Sequence, residues 1–126
     1  MRTTVLSSIA AVAALALALA GGARPGSASV AVVHDTTVAV KGFGFRPPAL
    51  YVRAGSRVTW VNQDDIEHTV TSGNPERRDE RFASALSRKG ATYSVTFAAA
   101  GSYTYYCDRH PFMRGEIHVT TQETGQ

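Results

Sequence analysis

From Val30 onward the chain is written in short runs that alternate hydrophobic and polar residues, and no stretch keeps a helical period for long. Arg57–Asn62 sets Val58 and Trp60 on one face and Arg57 and Thr59 on the other, the period of two expected of a half-buried strand. Thr92–Phe97 alternates in the same way. Ser102–Cys107 places Tyr103, Tyr105 and Cys107 on one face, and Glu116–Thr120 turns Ile117 and Val119 inward. Val30–Val40 is rich in Val and Thr with a break near His34-Asp35, and Leu50–Val52 and Thr69–Thr71 are shorter runs. Turn residues divide the runs at Ala54-Gly55-Ser56, Gly73-Asn74-Pro75 and Ala98–Gly101. Gly42–Pro48 is also punctuation, because its prolines cannot sit in a central strand. Between Gly73 and Gly90 the chain is polar without clear alternation. That predicts an irregular segment anchored by Phe82 and Leu86, with room for one helical turn at Ala83–Leu86. The whole pattern predicts an all-β sandwich or barrel.

Residues 1–28 read differently. Arg2 is followed by an apolar or small run from Val5 to Ala20, then by Gly21, Gly22, Pro25 and Gly26, with small residues at Ala23 and Ala28. This is the order of a secretory signal peptide, with cleavage expected after Ala28. The run falls short of the roughly 20 residues that a spanning helix needs, so no stable membrane insertion is expected. The segment has no cysteine for lipid attachment and no Arg-Arg pair. One domain, 29–126, is expected to follow, in the periplasm or secreted.

Removing the leader changes the charge. The chain has 13 Lys and Arg against 10 Asp and Glu; without Arg2 and Arg24, 11 basic residues remain, close to neutrality. With no basic stripe carrying interleaved aromatics, nucleic acid is not an expected partner. The dense run Glu76–Arg81 mixes signs and predicts a solvated loop.

Candidate chemistry gathers late in the chain. Cys107 is the one cysteine, so no disulfide can form within the chain. An exported lone thiol is buried and inert, reactive, or a metal ligand. Here it opens Cys107-Asp-Arg-His110-Pro-Phe-Met113, a thiolate, an imidazole and a thioether on one short loop. With His68, these make the His₂Cys set with a weak axial Met that suits one blue copper ion. Cys107 falls on the inward face of its strand, which suits a ligand better than a nucleophile. Zinc has little use for a thioether in its fourth position. Four histidines are too few for a multicopper site, and His34 and His118 are assigned to the surface. No enzymatic role is expected.

Two blocks carry a family resemblance. The first is Phe45-x-Pro47-x-x-Leu50-x-Val52-x-x-Gly55-x-x-Val58-x-Trp60-x-Asn62, followed by His68. The second is Tyr93–Phe97, then Gly101-Ser-Tyr103-x-Tyr105-x-Cys107-x-x-His110-Pro-Phe-Met113-Arg-Gly115. In these the chain resembles the cupredoxins, the type 1 blue copper family, and within it the amicyanins and plastocyanins. The resemblance implies an eight-stranded Greek-key β-sandwich. It implies copper held by His68, Cys107 and His110 with Met113 as the axial ligand. It also implies a monomeric carrier of single electrons. Transient redox partners, a donor dehydrogenase or a cytochrome-type acceptor, would dock near His110, Pro111 and Phe112. A copper carrier or storage protein without electron transfer is the alternative. Two departures stand out. Thr69 occupies a position often held by Asn, and a Thr69 hydroxyl donating to the Asp108 carboxylate would tie the ligand loop in its place. The acidic Asp64–Glu67 precedes His68 and offers a means of selecting partners.

Overall fold

The computed structural model describes residues 34–121, and the leader-like segment 1–28 lies outside them. Nine strands follow in order: β1 Asp35–Val40, β2 Phe45–Arg46, β3 Ala49–Arg53, β4 Ser56–Asn62, β5 His68–Asn74, β6 Arg77–Leu86, β7 Thr92–Phe97, β8 Gly101–Tyr106 and β9 Arg114–Thr120. They make two sheets, one of four strands in the order β2-β1-β4-β7 and one of five in the order β3-β9-β8-β5-β6. The β1–β4 and β3–β9 pairs are parallel and the other pairs antiparallel. The all-β sandwich implied by the alternation is therefore present.

The strand count exceeds the expected eight for a local reason. Phe45–Arg46 pairs with the end of β1, whereas Ala49–Arg53 runs beside β9 in the other sheet. Pro47 and Pro48 lie between them. Without backbone N–H groups they cannot continue a ladder. One extended run is thus cut in two as the chain passes between sheets.

The stretch after Gly73 corrects the sequence reading. Arg77–Leu86 is a ten-residue strand, not an irregular segment, and Ala83–Leu86 is extended rather than helical. It ends the order of its sheet, and its first five residues are exposed. Charges on an edge strand discourage pairing with other chains, so Glu76–Arg81 reads as a guarded edge instead of a loop. Phe82 and Leu86 are buried, as expected. The β5–β6 register shifts between Thr71 and Gly73. The buried Ser72 hydroxyl satisfies that irregularity by accepting from the N–H groups of Arg81 and Phe82 at 2.9 and 3.0 Å.

Trp60 sits at the centre of the sandwich, fully buried. Its ring meets Tyr105 edge-on at 5.2 Å between centroids and stacks on Phe82 and Tyr93, each at 6.0 Å. Such contacts add to the area each ring removes from water. The inward parity assigned to Tyr105, Cys107, Ile117 and Val119 holds, since all four are buried.

Burial pushes the Tyr105 phenol up to about 12, from an ordinary value of 10.0. Below pH 10 the phenol is neutral both folded and unfolded, and pH has no hold on stability through it. Between pH 10 and about 12 the unfolded chain ionises first, so stability falls as pH rises. At about 1.4 kcal/mol per unit, the loss approaches roughly 2–3 kcal/mol. Tyr105→Phe should flatten this part of a denaturation-versus-pH profile. At neutral pH it should cost little, because the buried Tyr105 hydroxyl has no partner at good hydrogen-bond geometry among the described residues.

Candidate metal centre

The centre is assembled where β5 and β8 lie side by side. Thr71 pairs with Tyr106, and continuing that antiparallel register brings Thr69 beside Asp108 and Cys107 beside the start of β5. His68 is the first residue of β5 and is fully buried. Cys107 follows β8 directly, and Met113 precedes β9 directly. The loop between them closes on its own backbone. His110 N–H donates to Cys107 C=O at 3.2 Å, Met113 N–H to His110 C=O at 2.8 Å, and Cys107 N–H to Met113 C=O at 3.0 Å. Residues three apart, Cys107, His110 and Met113, are thereby drawn together. Cys107 and Met113 are buried, and His110 is half-buried.

Donor atoms of His68, Cys107 and His110 all lie within 4.8 Å of one another. Cys107 Sγ is 3.8 Å from His68 Nδ1 and 3.6 Å from His110 Nδ1. Metal bonds of about 2.0 Å to nitrogen and about 2.3 Å to sulfur, opened by about 120° in a trigonal plane, separate the two donors by about 3.7 Å. The two distances match that figure on both sides of the sulfur. The cluster fits a type 1 copper site in donor chemistry and in spacing.

Around the donors are groups with no signal in the pattern of residue types. Thr69 N–H donates to Cys107 Sγ at 3.3 Å, a contact that stabilises negative charge on the sulfur. The Thr69 hydroxyl ties the ligand loop, but not as expected. It accepts from Asp108 N–H at 2.7 Å, and the Asp108 carboxylate turns instead to Arg78 at 2.6 Å. A backbone donor reaches the hydroxyl before the carboxylate can, because the strand register places it there. Thr69→Val would leave Asp108 N–H without this acceptor. It should cost about 1–2 kcal/mol in denaturant unfolding of the copper-free protein.

Phe43 also escaped the sequence reading. It lies in the turn between β1 and β2, about half exposed, with its ring edge-on to His110 at 5.0 Å and to His68 at 6.0 Å. Its φ of 58° is left-handed, an unusual conformation for a large residue. Phe112 stands nearby, 6.3 Å from Phe43 between ring centroids and 69% exposed. The His110 ring is thus bordered by two exposed aromatic rings.

The acidic run before His68 is partly drawn into ion pairs. Glu67 pairs with Arg109 at 2.7 Å, and Asp65 lies 3.9 Å from Lys89. Asp64 turns toward the site and meets His68 Nε2 at 2.8 Å. Of the remaining histidines, His34 is exposed. His118 faces outward from β9 and stacks on Tyr51 at 4.7 Å, away from the cluster.

Known proteins share this arrangement of chain and site. The family model "Copper binding proteins, plastocyanin/azurin family" matches residues 32–120. Amicyanin-alpha from Methylorubrum extorquens is 33% identical over 119 residues, covering 94% of this chain and 99% of that protein. Amicyanin from Paracoccus versutus is 31% identical over 96 residues, 76% of this chain and 73% of its own. Among solved structures, a purple cupredoxin from Nitrosopumilus maritimus superposes with a TM-score of 0.63 at 26% identity, covering 68% of this chain and 100% of that one. A reduced amicyanin variant superposes with a TM-score of 0.57 at 33% identity, covering 68% of this chain and 82% of its own. The matched residues run through both sheets and take in His68, Cys107, His110 and Met113. With the fold, the donor spacing and these likenesses in agreement, this chain belongs to the plastocyanin/azurin family of copper-binding proteins, the cupredoxins.

Proposed function

We propose that this chain is an exported carrier of single electrons, holding one copper ion between His68, Cys107, His110 and Met113. The convergence of one thiol sulfur and two imidazole nitrogens at trigonal spacing supports this most directly. Bound there, copper would supply a Cu(II)/Cu(I) couple. The protein's own residues do the rest. Cys107, with the Thr69 N–H on its sulfur, would supply the thiolate donor. His68 and His110 approach that sulfur from two sides, and Met113, which closes the loop, would supply a weaker thioether donor. Strands β8 and β9 flank the ligand loop, and Cys107 and Met113 are buried, which would limit rearrangement when the metal changes charge.

His110 is the exit. It alone of the three clustered donors is not fully buried, and Phe43 and Phe112 border it with apolar surface. A patch of this size suits brief encounters with a partner protein, such as a dehydrogenase that gives electrons or a cytochrome that takes them. Export rests on residues 1–28, read as a signal peptide cleaved after Ala28, which places the mature protein in the periplasm or outside the cell. No helix among the described residues is long and apolar enough to cross a membrane.

The test is voltammetry of the copper-loaded protein, followed by challenge of the reduced form with a Cu(I) chelator. An electron carrier gives a reversible one-electron wave and keeps its copper through repeated cycles. Rapid surrender of copper to the chelator, with no reversible wave, would instead assign the chain to copper delivery or storage.

A further inference from the structure

Asp64 is the group at the site that the copper chemistry itself does not require. Its Oδ2 lies 2.8 Å from Nε2 of His68, whose other nitrogen faces Cys107 Sγ. A carboxylate has no proton to give, so Nε2 donates and Nδ1 keeps its lone pair for the cluster. His68 is fully buried, and its ring does not reach bulk solvent.

The carboxylate is itself fixed from both sides. Gly42 N–H donates to Oδ1 at 3.0 Å, and both Gly42 and Phe43 are held in left-handed backbone. Asp64 N–H donates to Asn62 Oδ1 at 2.9 Å. Asn62, fully buried, is anchored in turn by donating to the Ile66 and Leu86 carbonyls at 2.8 and 3.0 Å. The chain therefore invests a buried amide, a tight turn and an aspartate in one imidazole. The same turn carries Phe43, whose ring edges against both imidazoles.

We propose that Asp64 is the positioning residue of the centre: it fixes the tautomer and orientation of His68, and its negative charge favours the oxidised state of the bound metal. An anion hydrogen-bonded behind a ligating imidazole raises the basicity of the ring. The more highly charged ion gains more from that, so the carboxylate lowers the reduction potential. Gly42 N–H on Oδ1 and His68 Nε2–H on Oδ2 are donors matched to a carboxylate. The proposal rests on His68 being a copper ligand, but the tautomer part holds in the copper-free protein and is tested there.

Two variants separate geometry from charge. Asp64→Asn keeps an acceptor for Nε2–H and removes the charge; Asp64→Ala removes both. In copper-free protein, at a pH where the ring is neutral, nitrogen-15 NMR of the wild type should show the single His68 ring proton on Nε2. Asp64→Ala should show a mixture of tautomers. After loading with copper, Asp64→Asn should stay blue while its affinity for Cu(II) falls about tenfold more than that for Cu(I). That tenfold difference raises the potential by about 59 mV. Asp64→Ala should in addition lose copper 10- to 100-fold more readily than the wild type. A wild-type His68 protonated at Nδ1 would overturn the positioning role. Unchanged potential and copper affinity in both variants would overturn the electrostatic one. Failure of the wild type to bind copper with a blue colour would instead count against the functional reading above and leave the tautomer result standing.

Discussion

Cys107→Ser should abolish blue absorption altogether while leaving a folded sandwich. The colour of a type 1 site comes from a thiolate, and the chain has no second sulfur anion to supply. A serine hydroxyl does not ionise near neutral pH. It would leave two imidazoles and a thioether facing a neutral oxygen. Affinity for Cu(II) should therefore fall by more than the roughly 10- to 100-fold that changes around a ligand cost. The fold should tolerate the change. Oγ occupies nearly the same place as Sγ and can still accept from Thr69 N–H, so the cost to the copper-free protein should stay near 1–2 kcal/mol. Circular dichroism and denaturant unfolding of the copper-free variant check the fold. Copper titration checks the site. A variant that keeps the blue band would show that the colour arises elsewhere.

Gly115→Ala should be among the damaging single methyl additions, through a clash with one aromatic ring. Gly115 has ordinary backbone geometry, so the difficulty is one of space. A Cβ there would land on the Tyr105 ring, with Cε1 2.8 Å away and Cζ and Oη closer still. The ring is hemmed in on its core side. It is 1% exposed, with Phe45 edge-on at 4.6 Å and Trp60 at 5.2 Å between centroids. Overpacking a fixed site of this kind costs about 1–3 kcal/mol or more. The damage should also reach the metal centre. Tyr105 stands two residues before Cys107 on β8, and Gly115 two residues after Met113 on β9, so a displaced ring spreads the strands that clamp the ligand loop. Two readouts are expected to move together, the unfolding midpoint downward and the copper spectrum away from that of the wild type. In a Tyr105→Leu background the same substitution should cost less, since the rigid ring is gone. A cost below about 0.5 kcal/mol in the wild-type background would contradict this packing.

What could be read from the chain alone was what local chemistry writes into it. β4, β7, β8 and β9 show in the alternation because each presents one face to the core. The loop from Cys107 to Met113 shows because three of its side chains have no better common purpose. The rest depends on which strands meet. β6 escaped because an edge strand buries few side chains: over Arg77–Arg81 charge replaces alternation, and only Phe82 and Leu86 keep the inward period. The two prolines marked a break, but that the chain changes sheets across them follows from the partners of β2 and β3. Phe43 and Asp64 are separated in sequence, and the β1–β2 turn brings them to the same imidazole. That Asp64 faces His68 does not show in the Asp64–Glu67 run, because sequence does not tell a carboxylate facing solvent from one facing a buried histidine. At Thr69 the position was noticed correctly, and the donor proved to be the backbone of Asp108 rather than the hydroxyl.

The central claim is that His68, Cys107 and His110 form a type 1 copper centre. It is tested most directly by adding one equivalent of Cu(II) to the purified domain and recording visible absorption and electron paramagnetic resonance together. The geometry predicts an intense blue band with narrow copper hyperfine splitting, saturating at one copper per chain. A pale solution with the broad splitting of ordinary Cu(II), bound through nitrogen and oxygen alone, would contradict it.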